Sequence, residues 1–127
     1  MDVRKLTIIF ILFFSICLNT QASHIHLEKE YQAKWCKEHH AQQEIVLNAH
    51  TRADALTDEY VIEFDFAKKF YEAIGQSLLY SILSGKKPAI VLIMENPCGD
   101  QKYLNELNKV AVKYGIKVWT MTPEDMP

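Results

Sequence analysis

Two carboxylates lie two residues apart in an otherwise apolar stretch of the chain. Glu63 and Asp65 belong to the run YVIEFDF, residues 60–66. Successive side chains of a β-strand point to opposite faces, so Val61, Glu63 and Asp65 would share one face. Two carboxylates on a buried face repel each other and resist desolvation, which predicts a counter-charge such as a metal ion beside them.

A third carboxylate lies on the preceding segment. The polar stretch TDE, residues 57–59, separates the runs 51–56 and 60–66, and this pattern predicts a β-hairpin. Such a hairpin can bring Asp54 opposite Glu63 and Asp65. Convergent carboxylates on a rigid sheet are the hard oxygen ligands that Mg²⁺ or Mn²⁺ prefers. The alternative is that the acids face solvent on a half-exposed strand.

The helix predicted after these strands carries a polar face. At 100° per residue, Lys69, Gln76 and Tyr80 fall within about 40° of one direction, whereas Lys68 points about 100° away. If this face looks at the acids, Lys69 is placed to steady a nucleophilic water or a phosphate. The alternatives are a surface salt bridge between Lys69 and Glu72, and an ordinary boundary pair for Gln76 and Tyr80.

These residues resemble a known pattern. Asp54, Glu63 nine positions later, and the Q-x-x-x-Y signature formed by Gln76 and Tyr80 are similar to the RecB-like members of the restriction-endonuclease-like PD-(D/E)xK superfamily. The resemblance covers roughly residues 27–120. It implies a restriction-endonuclease-like core and metal-assisted hydrolysis of nucleic-acid phosphodiester bonds.

The chain departs from the family at one position. Asp65 occupies the place of the family's lysine. Some members of the superfamily carry the lysine on the following helix, which makes Lys69 the candidate here and Lys68 the second choice. Glu30, on the first predicted helix, could match the acid that some members place there.

The resemblance assigns roles that we carry forward as hypotheses. One or two Mg²⁺ or Mn²⁺ ions would activate water and stabilise charge on the phosphate. The implied metal ligands are Asp54, Glu63 and Asp65, the further catalytic residues are Lys69 and Gln76, and the substrate-binding residues are Tyr80, Arg52 and Lys68. Two other hypotheses stay open: a catalytically inactive binding module on the same fold, and an exported interaction domain.

Hydrophobic periodicity predicts one domain of the order α-β-β-β-α-β-α-β, a mixed α/β (α+β) sheet with helices on both sides. Along the second helix, Phe70, Ile74, Leu78 and Ile82 form an apolar stripe that is expected to face the core. The predicted bounds are helices 26–40, 67–85 and 101–115, strands 44–50, 51–56, 60–66, 88–94 and 116–121, and a turn at 96–100 with the sequence NPCGD.

Residues 1–22 have the pattern of a secretory signal peptide. Arg4 and Lys5 precede the uncharged run Leu6–Leu18, and Ala22 lies where a signal peptidase would cleave. The prediction is a secreted or periplasmic domain of residues 23–127 without stable membrane association after cleavage. The alternative is that the leader is kept as a membrane anchor.

Charge and cysteine content bound the function of the mature chain. Without Asp2, Arg4 and Lys5, the 14 basic and 16 acidic side chains become 12 and 15, a net charge of −3. No basic excess indicates nucleic acid as a partner, so any phosphate contact would be local. Cys36 and Cys98 remain, and in an oxidising compartment they either form one disulfide or stay separate thiols.

Overall fold

The computed structural model describes residues 23–127, so the predicted leader lies outside the described residues. This part of the chain is an α+β fold with a five-stranded mixed sheet, three α-helices and the predicted order of elements. The elements are α1 (Glu28–His39), β1 (Gln42–Asn48), β2 (Thr51–Leu56), β3 (Tyr60–Phe66), α2 (Phe70–Ser84), β4 (Lys87–Ile93), α3 (Pro97–Tyr114) and β5 (Lys117–Met121), with short 3₁₀ turns at Ala67–Lys69 and Pro123–Asp125.

The sheet has the order β1-β2-β3-β4-β5. The first two strand pairs are antiparallel and the last two are parallel, which confirms the predicted hairpin followed by a parallel layer. β4 is an uninterrupted apolar strand because both of its faces are covered by helices. β3 lies in the centre of the sheet, where the antiparallel and parallel halves meet.

Two apolar layers enclose the sheet. On one face, Tyr31 and Trp35 of α1 pack against Phe64 and Val91. The other face is covered by α2 and α3, whose buried side chains pack against alternate residues of β4. Helices therefore lie on both sides of the sheet, as predicted. Glu63 and Asp65 alternate with the α1-facing residues of β3, so they project towards α2.

The segment predicted as a turn at 96–100 is helical instead. Pro97 begins α3, and Asn96 caps the helix by accepting a hydrogen bond from the Gly99 backbone N–H at 3.3 Å. Proline is favoured in the first helical turn because its missing N–H needs no partner there. The predicted start of α3 was four residues late since asparagine and proline were interpreted only as turn residues.

The apolar stripe of α2 does not face the core throughout. Ile82 at its end is 80% exposed, and the side chains that α2 buries include Ala73, Ser77 and Tyr80. Ala73 and Ser77 are small, so α2 lies close against the sheet with this face. Ile74 and Leu78 are only partly buried against α3. The prediction of an inward apolar stripe was therefore wrong at its C-terminal end.

Within residues 23–127, the helices are too short or too polar for any of them to cross a lipid bilayer.

Candidate functional site

The hairpin brings Asp54 and Glu63 together. The pairs Ala55–Ile62 and Leu56–Val61 fix the antiparallel register, and its continuation places Asp54 opposite Glu63. After these pairs the Asp54 side chain takes the place of a backbone hydrogen-bond acceptor for β3. Its Oδ2 accepts a hydrogen bond of 2.8 Å from the Phe64 backbone N–H. This contact fixes the Asp54 carboxylate beside β3.

Glu63 is the most unusual residue of the site. Its side chain is buried, with 5% exposure, and its Oε2 atom has no hydrogen-bond partner among the described residues. Burial raises the pKa of Glu63 to about 10, and the charge of neighbouring Asp54 acts in the same direction. Burial likewise raises the pKa of Asp54. At neutral pH Glu63 therefore keeps a proton that a water-exposed acid would lose.

Gln76 and Tyr80, the Q-x-x-x-Y residues of α2, form a chain of contacts that ends at Glu63. Gln76 Nε2 lies 3.2 Å from the Tyr80 hydroxyl, to which it donates a hydrogen bond. The Tyr80 hydroxyl approaches Glu63 and lowers the pKa of that carboxyl, although it leaves Oε2 without a hydrogen bond of regular geometry. Burial raises the pKa of Tyr80, and the charge of Glu63 raises it further. The structure thus brings Tyr80 beside Glu63, and Gln76 beside Tyr80.

Asp65 lies near this pair and is not hydrogen-bonded to it. Its side chain is buried, and its Oδ1 accepts a hydrogen bond of 2.9 Å from the Phe66 backbone N–H. Burial raises the pKa of Asp65 to about 6, whereas the Phe66 N–H and the charge of Lys69 lower it. Lys69 is thus the cation close to the acids. Lys68 is exposed and lines a neighbouring cavity.

Helix α1 contributes an acid that the sequence reasoning missed. Burial is the main cause that raises the pKa of Glu28 to about 7, and the charges of Asp54 and Asp65 act in the same direction. Glu30, the residue expected in this role, caps the helix instead by accepting a hydrogen bond from the Leu27 backbone N–H at 2.6 Å. The overlooked signal is the helical spacing of Glu28 from Gln32 and Trp35, which are both buried.

The rim of the site contains a second missed acid. Glu44 on β1 adopts a positive φ of 54° and accepts a hydrogen bond of 3.1 Å from Gln32 Nε2. The same Gln32 nitrogen donates to the Asp54 backbone carbonyl at 2.6 Å, which ties α1 to the hairpin. Arg52, predicted to bind substrate, is 62% exposed and lies 3.7 Å from Glu44.

The described residues contain no preformed metal cage. Within residues 23–127, no group of three or more His, Cys, Asp or Glu side chains has the arrangement needed to hold an ion. The donor chemistry nevertheless fits a hard cation. The buried Glu63 oxygen without a partner and the adjoining Asp54 carboxyl are the groups whose repulsion and desolvation a divalent ion would relieve.

The two described cysteines are both free. Cys36 is buried in the core under α1, and burial raises its thiol pKa to about 11. Cys98 lies exposed in the first turn of α3. The structure therefore contains the separate thiols, and the disulfide that was the other option is not formed.

No protein-family model, curated protein or solved structure matches this chain. The resemblance to the PD-(D/E)xK superfamily consequently rests on Asp54, Glu63 and the Gln76–Tyr80 pair, and it stays a prediction.

Proposed function

We propose that the chain is an exported, metal-dependent nuclease or phosphodiesterase that hydrolyses phosphodiester bonds of nucleic acid. The observation that supports this proposal most directly is the buried Glu63 oxygen without a hydrogen-bond partner, next to the carboxyl of Asp54. Burying two carboxyl groups together is unfavourable in the absence of a cation. A protein retains such a pair at a cost in stability when the pair serves a function.

Asp54 and Glu63 are the proposed metal ligands, and Asp65 and Glu28 are the next acids within electrostatic reach. A bound Mg²⁺ or Mn²⁺ would lower the pKa of a coordinated water and stabilise negative charge on the phosphate. Oxygen ligands from carboxylates match the preference of both ions. Asp65 would have to turn away from the Phe66 N–H to join the first two ligands.

The remaining site residues have roles that follow from their contacts. Lys69 carries a positive charge beside Asp65 and Glu28, where it can hold a phosphate oxygen or orient the attacking water. The hydrogen bond from Gln76 to Tyr80 fixes the phenol that approaches Glu63, so this pair orients the carboxyl. These two residues therefore act on the proposed metal site from α2.

A second candidate is a non-catalytic binding module on the same fold. Asp65 at the position of the family's lysine favours this alternative, and so does the net charge of −3 for residues 23–127. The two candidates differ in one measurable property. A nuclease cleaves its ligand only in the presence of the metal, whereas a binding module retains the ligand intact.

The test incubates residues 23–127 with single- and double-stranded DNA and RNA, in Mg²⁺, in Mn²⁺ and in EDTA. We expect cleavage in the presence of either metal, and loss of about a hundredfold or more in Asp54→Asn, because the metal supplies several kcal/mol of transition-state stabilisation. Glu59→Gln is the matched control, since Glu59 is an exposed acid that pairs with Lys87 at 2.7 Å. Urea titrations establish that both variants fold.

Cleavage that persists in EDTA, or in Asp54→Asn, contradicts the proposal. Retention of uncut nucleic acid by the folded wild-type protein in both metals would establish the binding module instead.

A further inference from the structure

A cavity of about 430 Å³ lies next to the acid cluster, at the carboxyl ends of the parallel strands β3 and β4. Ligands of open α/β sheets commonly bind outside this end of the strands, and the volume is in the usual range for small-molecule sites. The lining includes two cations, Lys68 and Lys69, and also Phe66, Ile93 and Glu95. Lys69 also acts on Asp65, so the cavity and the proposed metal site share a residue.

One flat ring forms part of the wall of this cavity. The imidazole of His24 stacks on Phe66 with ring centroids 3.4 Å apart and planes inclined by 8°. Its Nδ1 lies 2.9 Å from Glu95 Oε2. Parallel stacking on an aromatic ring, with one ring nitrogen bonded to a carboxylate, is also the way in which a nucleobase would be held.

Glu95 is an anchor that would stay in place if His24 left. Its Oε1 accepts hydrogen bonds from the backbone N–H groups of Ile25 at 2.9 Å and His26 at 3.1 Å, and from the Tyr31 hydroxyl at 3.1 Å. Burial acts to raise the pKa of Glu95, but these hydrogen bonds and the one with His24 lower it. The carboxylate therefore remains charged, and only its Oε2 atom would change partner.

The His24 side chain is only partly enclosed. Its side chain is 48% exposed, while that of Glu95 is 14% exposed. Rotation of the imidazole away from Phe66 leaves the contacts of Ile25 and His26 intact. The exchange of one ring for another thus requires no unfolding of a helix or strand.

We propose that this cavity binds one nucleotide of a single-stranded nucleic acid, with its base stacked on Phe66 in the place of the His24 imidazole. Every base has at least one N–H group that can donate to Glu95 Oε2. The phosphate would lie towards Lys68 and Lys69, because their charge attracts it and the charge of Glu95 repels it. The inference deepens the proposed function, on which it rests, by naming the substrate class.

A single strand is the required form of the ligand. Bases in a duplex are stacked between their neighbours and hydrogen-bonded to the opposite strand, so their faces cannot contact Phe66. Aromatic side chains beside a local positive charge bind single strands with little sequence preference. Free phosphate lacks the ring that would displace His24, and is expected to bind poorly beside Glu95 and Asp100.

The experiment measures fluorescence anisotropy of labelled eight-nucleotide DNA strands with residues 23–127 in EDTA, so that binding is separated from cleavage. Duplex DNA and inorganic phosphate are the comparison probes. Phe66→Leu should weaken single-strand binding about tenfold, as expected for one lost stacking contact. Tyr71→Leu is the matched control, because Tyr71 is an aromatic residue of α2 that is 75% exposed and lies outside the cavity lining.

Two substitutions of His24 keep the test decisive if Phe66→Leu destabilises the fold. His24→Ala removes the competing ring and should strengthen binding severalfold, whereas His24→Trp supplies a larger competing ring and should weaken it. Opposite effects of these two variants support the subsite. Equal affinity in both, or affinity for duplex that matches that for single strands, overturns it.

The outcomes separate this inference from the proposed function. Single-strand binding in EDTA that depends on Phe66, without cleavage in any metal, supports the subsite and contradicts the nuclease. Metal-dependent cleavage with no effect of Phe66→Leu or of the His24 variants supports the nuclease and contradicts the subsite.

Discussion

The buried carboxyl of Glu63 makes the protein less stable at neutral pH than it would be with a neutral side chain. In the folded state the pKa of Glu63 is raised to about 10, from an ordinary value of 4.5, mainly by burial. Replacing it by glutamine keeps the shape of the side chain but removes the ionisable group. We therefore expect Glu63→Gln to stabilise the metal-free protein.

The sign follows from proton linkage. Because the pKa of Glu63 is higher in the folded than in the unfolded protein, unfolding releases a proton at any pH between the two values. The contribution of Glu63 to stability is then fully present below about pH 4.5 and is lost as the pH rises towards 10. At pH 7 this loss is at most about 3.5 kcal/mol, since each pKa unit is worth about 1.4 kcal/mol.

The assay is urea denaturation in EDTA at pH 5 and at pH 8, comparing wild type with Glu63→Gln. We expect a gain of at most about 5 kcal/mol at pH 8 and a gain below about 1 kcal/mol at pH 5, with an unchanged denaturant slope. Glu59→Gln is the control. The Lys87 hydrogen bond lowers the pKa of exposed Glu59, so this change should have a small effect of the opposite sign.

Added Mg²⁺ or Mn²⁺ provides a second arm of the same experiment. If Glu63 ligates the ion, the metal should stabilise wild type and have a smaller effect on Glu63→Gln. A Glu63→Gln protein that is less stable than wild type at pH 8, or whose gain is equal at pH 5 and pH 8, would refute the reasoning about burial.

Two further predictions concern the neighbouring charge and the thiols. Lys69→Gln should raise the pKa of Asp65 in an NMR titration, because the Lys69 charge lowers that pKa, while Lys68→Gln should leave it unchanged; equal shifts would contradict the placement of Lys69. Cys98 should react with a thiol reagent in the folded protein, and Cys36 only after unfolding, because Cys36 is buried and its pKa is raised to about 11. Loss of both free thiols in the folded protein under mild oxidation would show that the two cysteines pair after all.

The arrangement of strands was predictable because it follows from local patterns. Alternation in residues 60–66, the polar turn before them and the apolar run of β4 each determine one strand, and β2 and β3 begin and end where the sequence predicted. The hairpin register then follows from the short turn. For this reason Asp54 could be placed opposite Glu63 and Asp65 from the sequence alone, and the structure puts it opposite Glu63.

The sequence was a poorer guide wherever tertiary packing decides between equivalent faces. α2 has an apolar stripe and a small polar face, and helical periodicity favours burial of the apolar one. In the structure the face with Ser77 and Tyr80 is buried because it packs against β3, where the Tyr80 hydroxyl approaches Glu63. Ile82 is left in solvent as a result.

The acids of α1 show the same limit at the level of single residues. Glu28 and Glu30 are two positions apart, so they point in different directions on the helix. Only the burial of Gln32 and Trp35 identifies the face of Glu28 as the inner one. Glu44 was missed because its positive φ belongs to an irregular part of β1 that no periodicity indicates.

The central position of β3 in the sheet determines which strands would respond to ligand binding at Glu63. With β1 and β2 on one side and β4 and β5 on the other, β3 is an internal strand, paired with β4 along its whole length and with β2 at Val61 and Ile62. Exchange of its amide hydrogens in these pairs therefore requires opening of the sheet and not fraying of an edge. Because an ion or a proton gained at Glu63 stabilises the folded protein, it should slow this exchange in β2, β3 and β4 together, so three neighbouring strands would report on the state of one carboxyl group.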